Sequence, residues 1–311
     1  MTIRTNCLVL CLATLLLVSA PWSVAVPSSG SALARGQSFP ILTQDQIATF
    51  RPYTLFASAA YCNPSITGTW TCGANCDANP GFQPTASGGN DGTVQYWYVG
   101  YDPTLDKVIV AHQGTDSDNL TADLTDVEIT MDPLDPTLFP GLSSTVHVHT
   151  GFRDAHARTA TTILSEVQTA LSQHSTQEVV ITGHSLGAAL SLLDAIYLSL
   201  HLPSNIKIST IGYGLPRVGD AAFANYVDAH VDLTHITNKH DPFPILPFQF
   251  LGFRQPSNEV HIDQNNNWVQ CPGQENDSTE CIDGAVPFFW EGTPGDHEGP
   301  YDGIVMGLGQ C

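Results

Sequence analysis

Apolar residues in this chain switch repeatedly between a helical and a strand period, and the switches outline its architecture. Across residues 153–173, Ile163, Leu164, Val167, Ala170 and Leu171 fall on one helical face, which predicts an amphipathic helix. Val179-Val180-Ile181, within residues 178–182, is a short β-branched run and reads as a strand. A long apolar helix over 186–200 follows, and residues 206–213 read as the next strand. Upstream, Thr43 and Gln46 outline a capping box for a helical stretch reaching about Tyr61, with a kink expected at Pro52. Strand-like segments at 94–99 and 107–111 are separated by the turn-former Asp102-Pro103. Helices alternating with strands predict the α/β class, with a mainly parallel central sheet and helices on its faces.

The N-terminal stretch stands outside this pattern. Arg4 precedes an apolar run from Cys7 to Val18 and the small-residue sequence Ser23-Val24-Ala25, so residues 1–25 read as a secretory signal peptide. The run is too short to span a bilayer comfortably and no later segment is apolar for long enough, so stable membrane insertion is not expected. Residues 26–40 are rich in Ser, Gly, Ala and Pro without apolar periodicity, and read as a flexible or processed arm. Residues 41–311 then form one α/β domain, with no internal repeat or long linker to divide them.

Charge narrows the partners. Ten Lys and Arg against 30 Asp and Glu give a formal net charge of −20, which disfavours nucleic acid and anionic membrane surfaces and suits neutral substrates. Cys7 and Cys11 lie in the leader, leaving Cys62, Cys72, Cys76, Cys271, Cys281 and Cys311. In an oxidising compartment these should form three disulfides; several pairings are open, and local spacing favours Cys72 with Cys76 and Cys271 with Cys281, leaving Cys62 for Cys311. A zinc site at Cys72-x3-Cys76 lacks a nearby His, so no metal is expected.

The sharpest chemical signal lies between the run at Val179 and the helix at Leu186. Gly183-His184-Ser185-Leu186-Gly187 is a Gly-x-Ser-x-Gly pentapeptide at a strand-to-helix turn, which strains the central Ser and lifts its hydroxyl to a helix N-terminus. This is the signature of a serine hydrolase. A serine hydroxyl needs an imidazole to take its proton and a carboxylate to fix that imidazole's tautomer, and on such a sheet the chain order is Ser, acid, His. Asp241 and His297 satisfy that order, but Asp220, Asp228 and Asp232 compete for the acid, and His230, His235, His240 and His261 for the base. His147 and His149 share a strand face without a third metal ligand, and His184 is expected to support the turn.

Several separated motifs agree with one family. Ile181-Thr182-Gly183-His184-Ser185-Leu186-Gly187-Ala188, Gly214-Leu215-Pro216-Arg217-Val218-Gly219-Asp220, Asn238-Lys239-His240-Asp241-Pro242 and Asp296-His297 together resemble the fungal class 3 lipases, secreted triacylglycerol lipases and some feruloyl esterases. The resemblance, which extends to basidiomycete extracellular lipases, implies an α/β-hydrolase fold and no cofactor. It implies Ser185 as nucleophile, Asp241 as orienting acid and His297 as base. It also implies that Val110-Ala111-His112-Gln113-Gly114-Thr115 carries the oxyanion hole, with Thr115 and the Leu186 N–H as donors worth about 3 to 4 kcal/mol each.

In related lipases a short helix after the oxyanion residue covers the site. The corresponding segment here, 116–131, lacks aromatics and basic residues but carries Asp116, Asp118, Asp123, Asp126 and Glu128. Leu120, Leu124, Val127 and Met131 give it a narrow apolar stripe if it is helical. Phe243, Ile245, Leu246, Phe248, Phe250, Leu251 and Phe253 follow Asp241, and Phe288, Phe289 and Trp290 precede His297, favouring an acyl-chain groove. Asn119 and Asn276 begin glycosylation sequons. The expected partner is a neutral lipid or other ester, met by a monomer at an oil–water interface; an esterase for feruloyl or short soluble esters and a non-catalytic lipid or carbohydrate binder are the alternatives.

Overall fold

Val179 and Ile181 of one strand pack to one side of the central sheet while Val180 packs to the other, the period-two burial of a strand covered on both faces. The strand that precedes it in the sheet does the same, sending Val108 and Val110 one way and Ile109 and Ala111 the other. The computed structural model containing them describes residues 38–115, 129–307, 309 and 311. The expected leader, most of the arm, the lid positions Asp116, Leu120, Leu124 and Val127, and the sequon at Asn119 lie outside the described residues.

The strands in chain order are β1 (Gln83–Gly88), β2 (Trp97–Asp102), β3 (Lys107–His112), β4 (Met131–Pro133), β5 (His147–His149), β6 (Glu178–His184), β7 (Lys207–Tyr213), β8 (Gly219–Asp220), β9 (Asp232–Asn238), β10 (Phe253–Arg254), β11 (Glu259–Ile262) and β12 (Trp268–Cys271). Eight of them form the main sheet in the order β1-β2-β3-β6-β7-β9-β11-β12. Its centre, from β3 to β11, is parallel, and β1, β2 and β12 pair antiparallel at the margins. A small sheet, β10-β8-β5-β4, is antiparallel throughout.

The main helices are α1 (Gln44–Ala48), α2 (Arg51–Ala59), α3 (Thr150–Ala157), α4 (Ala160–His174), α5 (Leu186–His201) and α6 (Ala221–His230). Two stretches expected as single helices are each broken. The Thr43–Gln46 capping box starts α1, but the helix ends at Ala48, and Pro52 sits in the first turn of α2, where its missing N–H costs nothing, instead of kinking a longer helix. Thr159 leaves helical geometry at φ −121°, ψ −18° and separates α3, which buries Phe152 and His156, from α4, which buries Ile163, Val167 and Ala170. The strand expected over 94–99 begins only at Trp97, because Asn90 Oδ1 accepts from the Gly92 and Val94 amides in a turn and Gln113 Oε1 accepts from the Tyr96 amide.

Three disulfides tie the margins to the core: Cys62–Cys311, Cys72–Cys76 and Cys271–Cys281, with Cα separations of 5.3, 5.2 and 5.9 Å. The first joins the chain beyond α2 to the C-terminal residue, and the third joins β12 to the loop that follows it.

Glu259 on β11 is a buried carboxyl whose Oε1 accepts from Thr237 Oγ1 at 2.8 Å and the Ile282 amide at 2.9 Å. Burial outweighs these donors and raises its pKa from 4.5 to about 7. The folded value lies above the unfolded one, so the stabilisation is present below about pH 4.5 and is lost as pH rises through 7. Glu259→Gln keeps an acceptor oxygen and cannot ionise. It should match the wild type at pH 4 and exceed it by about 3 kcal/mol at pH 8, read as a higher Tm in melts at both pH values. Parallel Tm–pH curves would contradict the assignment.

Candidate active site

The carboxyl ends of β3, β6, β7 and β9 converge, and each delivers one part of the site. Beyond β6 the chain turns into α5 through Ser185, which adopts φ 58°, ψ −127°, a strained conformation for a residue with a Cβ. The Ser185 amide donates to the Tyr213 carbonyl of β7 at 2.8 Å, anchoring the turn. Glycine is required at position 187, where a Cβ would run into the backbone of His112 and Gln113 and push the start of α5 off the end of β3.

Asp241 lies just past β9, fully buried. Its Oδ1 accepts from the Phe243 amide at 2.9 Å and its Oδ2 accepts from His297 Nδ1 at 2.8 Å. His297 follows a 3₁₀ turn, Pro294–Asp296, and its ring packs against Phe243 with centroids 4.3 Å apart. On its other side it rests on Gly214, where φ is +56° and a Cβ would come within 2.8 Å of the imidazole. Since a carboxylate only accepts, Nδ1 carries the His297 proton and Nε2 is left with a free lone pair. Both His297 Nε2 and Ser185 Oγ are buried and have no hydrogen-bond partner among the described residues. A general base with its lone pair unused and a hydroxyl with its proton unplaced are the two atoms that acyl transfer needs together.

Most of the competing residues are engaged elsewhere. Asp220 caps α6 through the Phe223 amide and meets His147, Asp228 holds Ser257 and Gln274, and Asp232 is exposed at the start of β9. His230 is exposed on the last turn of α6, His235 bonds the Pro256 carbonyl, and His261 bonds Thr237. Burial lowers the pKa of His235 and His261 to about 4, so both are neutral near pH 7. His149 caps α3 and stacks on Phe152. His184 turns away from Ser185, with Nδ1 2.6 Å from Tyr61 Oη and Nε2 2.8 Å from the His297 carbonyl oxygen.

Thr115 lies three residues beyond β3, next to Gly114, whose backbone faces Ser185 and the His184 carbonyl. Leu186 is the first residue of α5, so its N–H has no partner within the helix. Of the apolar loop residues, Phe243, Ile245, Leu246 and Phe253 belong to the core. Phe250 and Trp290 are instead 76% exposed; Phe250 stacks on Phe248 and Trp290 on Phe288. Asn276 sits in a surface loop, its side chain bonded to the Pro272 carbonyl and the Ser278 amide.

Two buried polar clusters had no sequence expectation. Asp194, on the otherwise apolar α5, accepts from His112 Nε2 at 2.6 Å and His156 Nε2 at 2.8 Å. Burial works to raise its pKa, yet the two imidazoles hold it at about 2. A lone carboxylate within an apolar helix was the available signal. Arg217 meets Glu275 and Asp283, each at 2.6 Å, and donates to the carbonyls of Ile245 and Pro247, tying down the loop after Asp241. Glu259, Cys271 and Cys281 form the one grouping of potential metal donors among the described residues, and both sulfurs are in a disulfide.

Comparison with known proteins decides the family. The profile of the lipase (class 3) family matches residues 109–251, the span from β3 through the elbow to the loop after Asp241. A secreted mono- and diacylglycerol lipase of Malassezia globosa is 34% identical over 71% of this chain and 73% of its own length. The chain belongs to the class 3 lipase family. Its members include the lipase of Rhizomucor miehei, 30% identical over 79% of this chain and 67% of that one. Among solved structures, lipase II of Rhizopus niveus superposes with a TM-score of 0.74 at 26% identity, covering 86% of this chain and 98% of its own. A triacylglycerol lipase described as having a serine protease triad at its catalytic centre superposes equally well, at 28% identity and coverage of 87% and 99%. The lipase therefore has the α/β-hydrolase fold and is a carboxylic ester hydrolase. Among its described residues no helix is long and apolar enough to cross a membrane.

Proposed function

We propose that this lipase is secreted and, as a monomer, hydrolyses neutral acylglycerols through Ser185, His297 and Asp241, with residues 41–311 as its catalytic domain. The observations that carry the mechanism are two buried atoms, Ser185 Oγ and His297 Nε2, each without a partner among the described residues, and the imidazole held in the required tautomer by Asp241. His297 Nε2 takes the hydroxyl proton as Oγ attacks the ester carbonyl. The N–H groups of Leu186 and Thr115 stabilise the resulting oxyanion, and His297 returns the proton to the departing glycerol oxygen. Water, deprotonated by the same nitrogen, then releases the fatty acid from Ser185.

Substrate class rests on several supports. The Malassezia globosa relative is named for mono- and diacylglycerols and for its secretion. Exposed Phe250, Phe288 and Trp290, on the two loops that carry Asp241 and His297, suit a lipid surface, and the net charge of −20 favours an uncharged one. Three disulfides agree with an oxidising compartment.

Initial rates on monoolein, diolein, triolein and methyl ferulate, taken below and above the concentration at which an interface forms, test the substrate. Oleoyl glycerides should be hydrolysed faster than the ferulate. Preference for methyl ferulate would overturn the substrate reading in favour of a soluble-ester esterase.

A further inference from the structure

Tyr61 makes no contact that the triad mechanism uses, yet its hydroxyl lies where three parts of the site meet. It follows α2, is buried, and places Oη 2.6 Å from His184 Nδ1. Across the same ring, His184 Nε2 is 2.8 Å from the carbonyl oxygen of His297. A carbonyl only accepts, so Nε2 holds the His184 proton, Nδ1 is a bare acceptor, and Tyr61 Oη is the donor. The neutral ring this demands is favoured by burial first and by His297 second, which together hold the His184 pKa well below its ordinary value. The Tyr61 oxygen also packs against Gly114, one residue before Thr115, so closely that a Cβ at that position would run into it.

Polarity is therefore continuous. Tyr61 Oη–H donates to His184 Nδ1 and His184 Nε2–H donates to the His297 carbonyl, while the Tyr61 oxygen rests against the backbone of Gly114. We propose that Tyr61 and His184 are positioning residues that lock the oxyanion turn to the backbone of the general base, passing behind the nucleophile. The proposal rests on the Ser185–His297–Asp241 reading. No proton need move along this path; it acts by holding two catalytic elements in register across the elbow. Tyr301 Oη also donates to the His297 carbonyl, at 3.0 Å, so the base has a second tether. Of the two, His184 leads on through Tyr61 to the contact with Gly114, so removing the Tyr61 hydroxyl uncouples the oxyanion turn while leaving the base partly held.

Tyr61→Phe removes that hydroxyl and keeps the ring. Misplacing one catalytic element should lower kcat on p-nitrophenyl butyrate by about 10- to 100-fold while KM stays within about two-fold. A trifluoromethyl ketone that forms a hemiketal on Ser185 should bind more weakly by a similar factor, because it needs the same donors. His184→Gln restores an acceptor and a donor on one amide and should retain several-fold more kcat than His184→Leu, a difference that filling space alone would not produce. An unchanged kcat in Tyr61→Phe, or equal rates in the two His184 variants, would overturn the coupling; should Tyr61→Phe fail to fold, the His184 pair decides. Fluorophosphonate labelling of the wild type separates the two readings. An unlabelled Ser185 would sink the triad itself, whereas a labelled wild type with an unaffected Tyr61→Phe sinks only the coupling.

Discussion

Ser185→Ala is expected to lower kcat on a soluble p-nitrophenyl ester by about 10⁶-fold, the scale on which nucleophile removal disables serine triads, without loss of the fold. The structure separates the two effects. Ser185 Oγ makes no hydrogen bond among the described residues, so its removal breaks none there, while the bond from its amide to the Tyr213 carbonyl remains. A buried hydroxyl without a partner costs about 1 to 3 kcal/mol, so the Ala variant should melt at the wild-type Tm or above it. Alanine also carries a Cβ and tolerates φ 58° no better than serine does, leaving the strain of the elbow unchanged. Turnover within ten-fold of the wild type, or a large fall in Tm, would show that Ser185 has another role.

That elbow was legible in the chain because all its determinants are local. The β-branched run of β6, the glycines around Ser185 and the apolar length of α5 are contiguous, and the helix begins in the structure at Leu186 as its pattern predicts. The breaks within the two long helical stretches were misread, since Pro52 suits the first turn of a new helix as well as a kink, and the apolar face of residues 153–173 begins only at Ile163, beyond the break at Arg158-Thr159. Strand β1 was hidden by Pro84, Ser87 and Gly88, residues tolerated there because it is an edge strand. The partners of Asp194 lie 82 and 38 residues away, so its cluster exists only once β3, α3 and α5 are packed together. The same holds for Tyr61 and His184, 123 residues apart.

Choosing among the carboxylates was likewise a problem of folding together distant segments. Chain order alone left Asp220, Asp228, Asp232 and Asp241 as candidates, and only Asp241 lies against His297 Nδ1. Its second oxygen gives that contact a chemical consequence. Asp241 Oδ1 accepts from the Phe243 amide, which can only donate, so an Asn at this position must turn its oxygen toward Phe243 and its NH₂ toward His297. Facing a donor, the imidazole has to present a bare Nδ1 and move its proton to Nε2, the atom that must receive the serine proton. Asp241→Asn should therefore lower kcat by about 10⁴-fold, as the wrong tautomer does in serine protease triads, while KM for a soluble ester changes little. Asp228→Asn, which alters a carboxylate bound to Ser257 and Gln274, should leave kcat near the wild-type value. Measuring both variants at pH 8 beside their thermal melts tests the tautomer argument: a loss smaller than ten-fold in a folded Asp241→Asn enzyme would mean that another group orients His297.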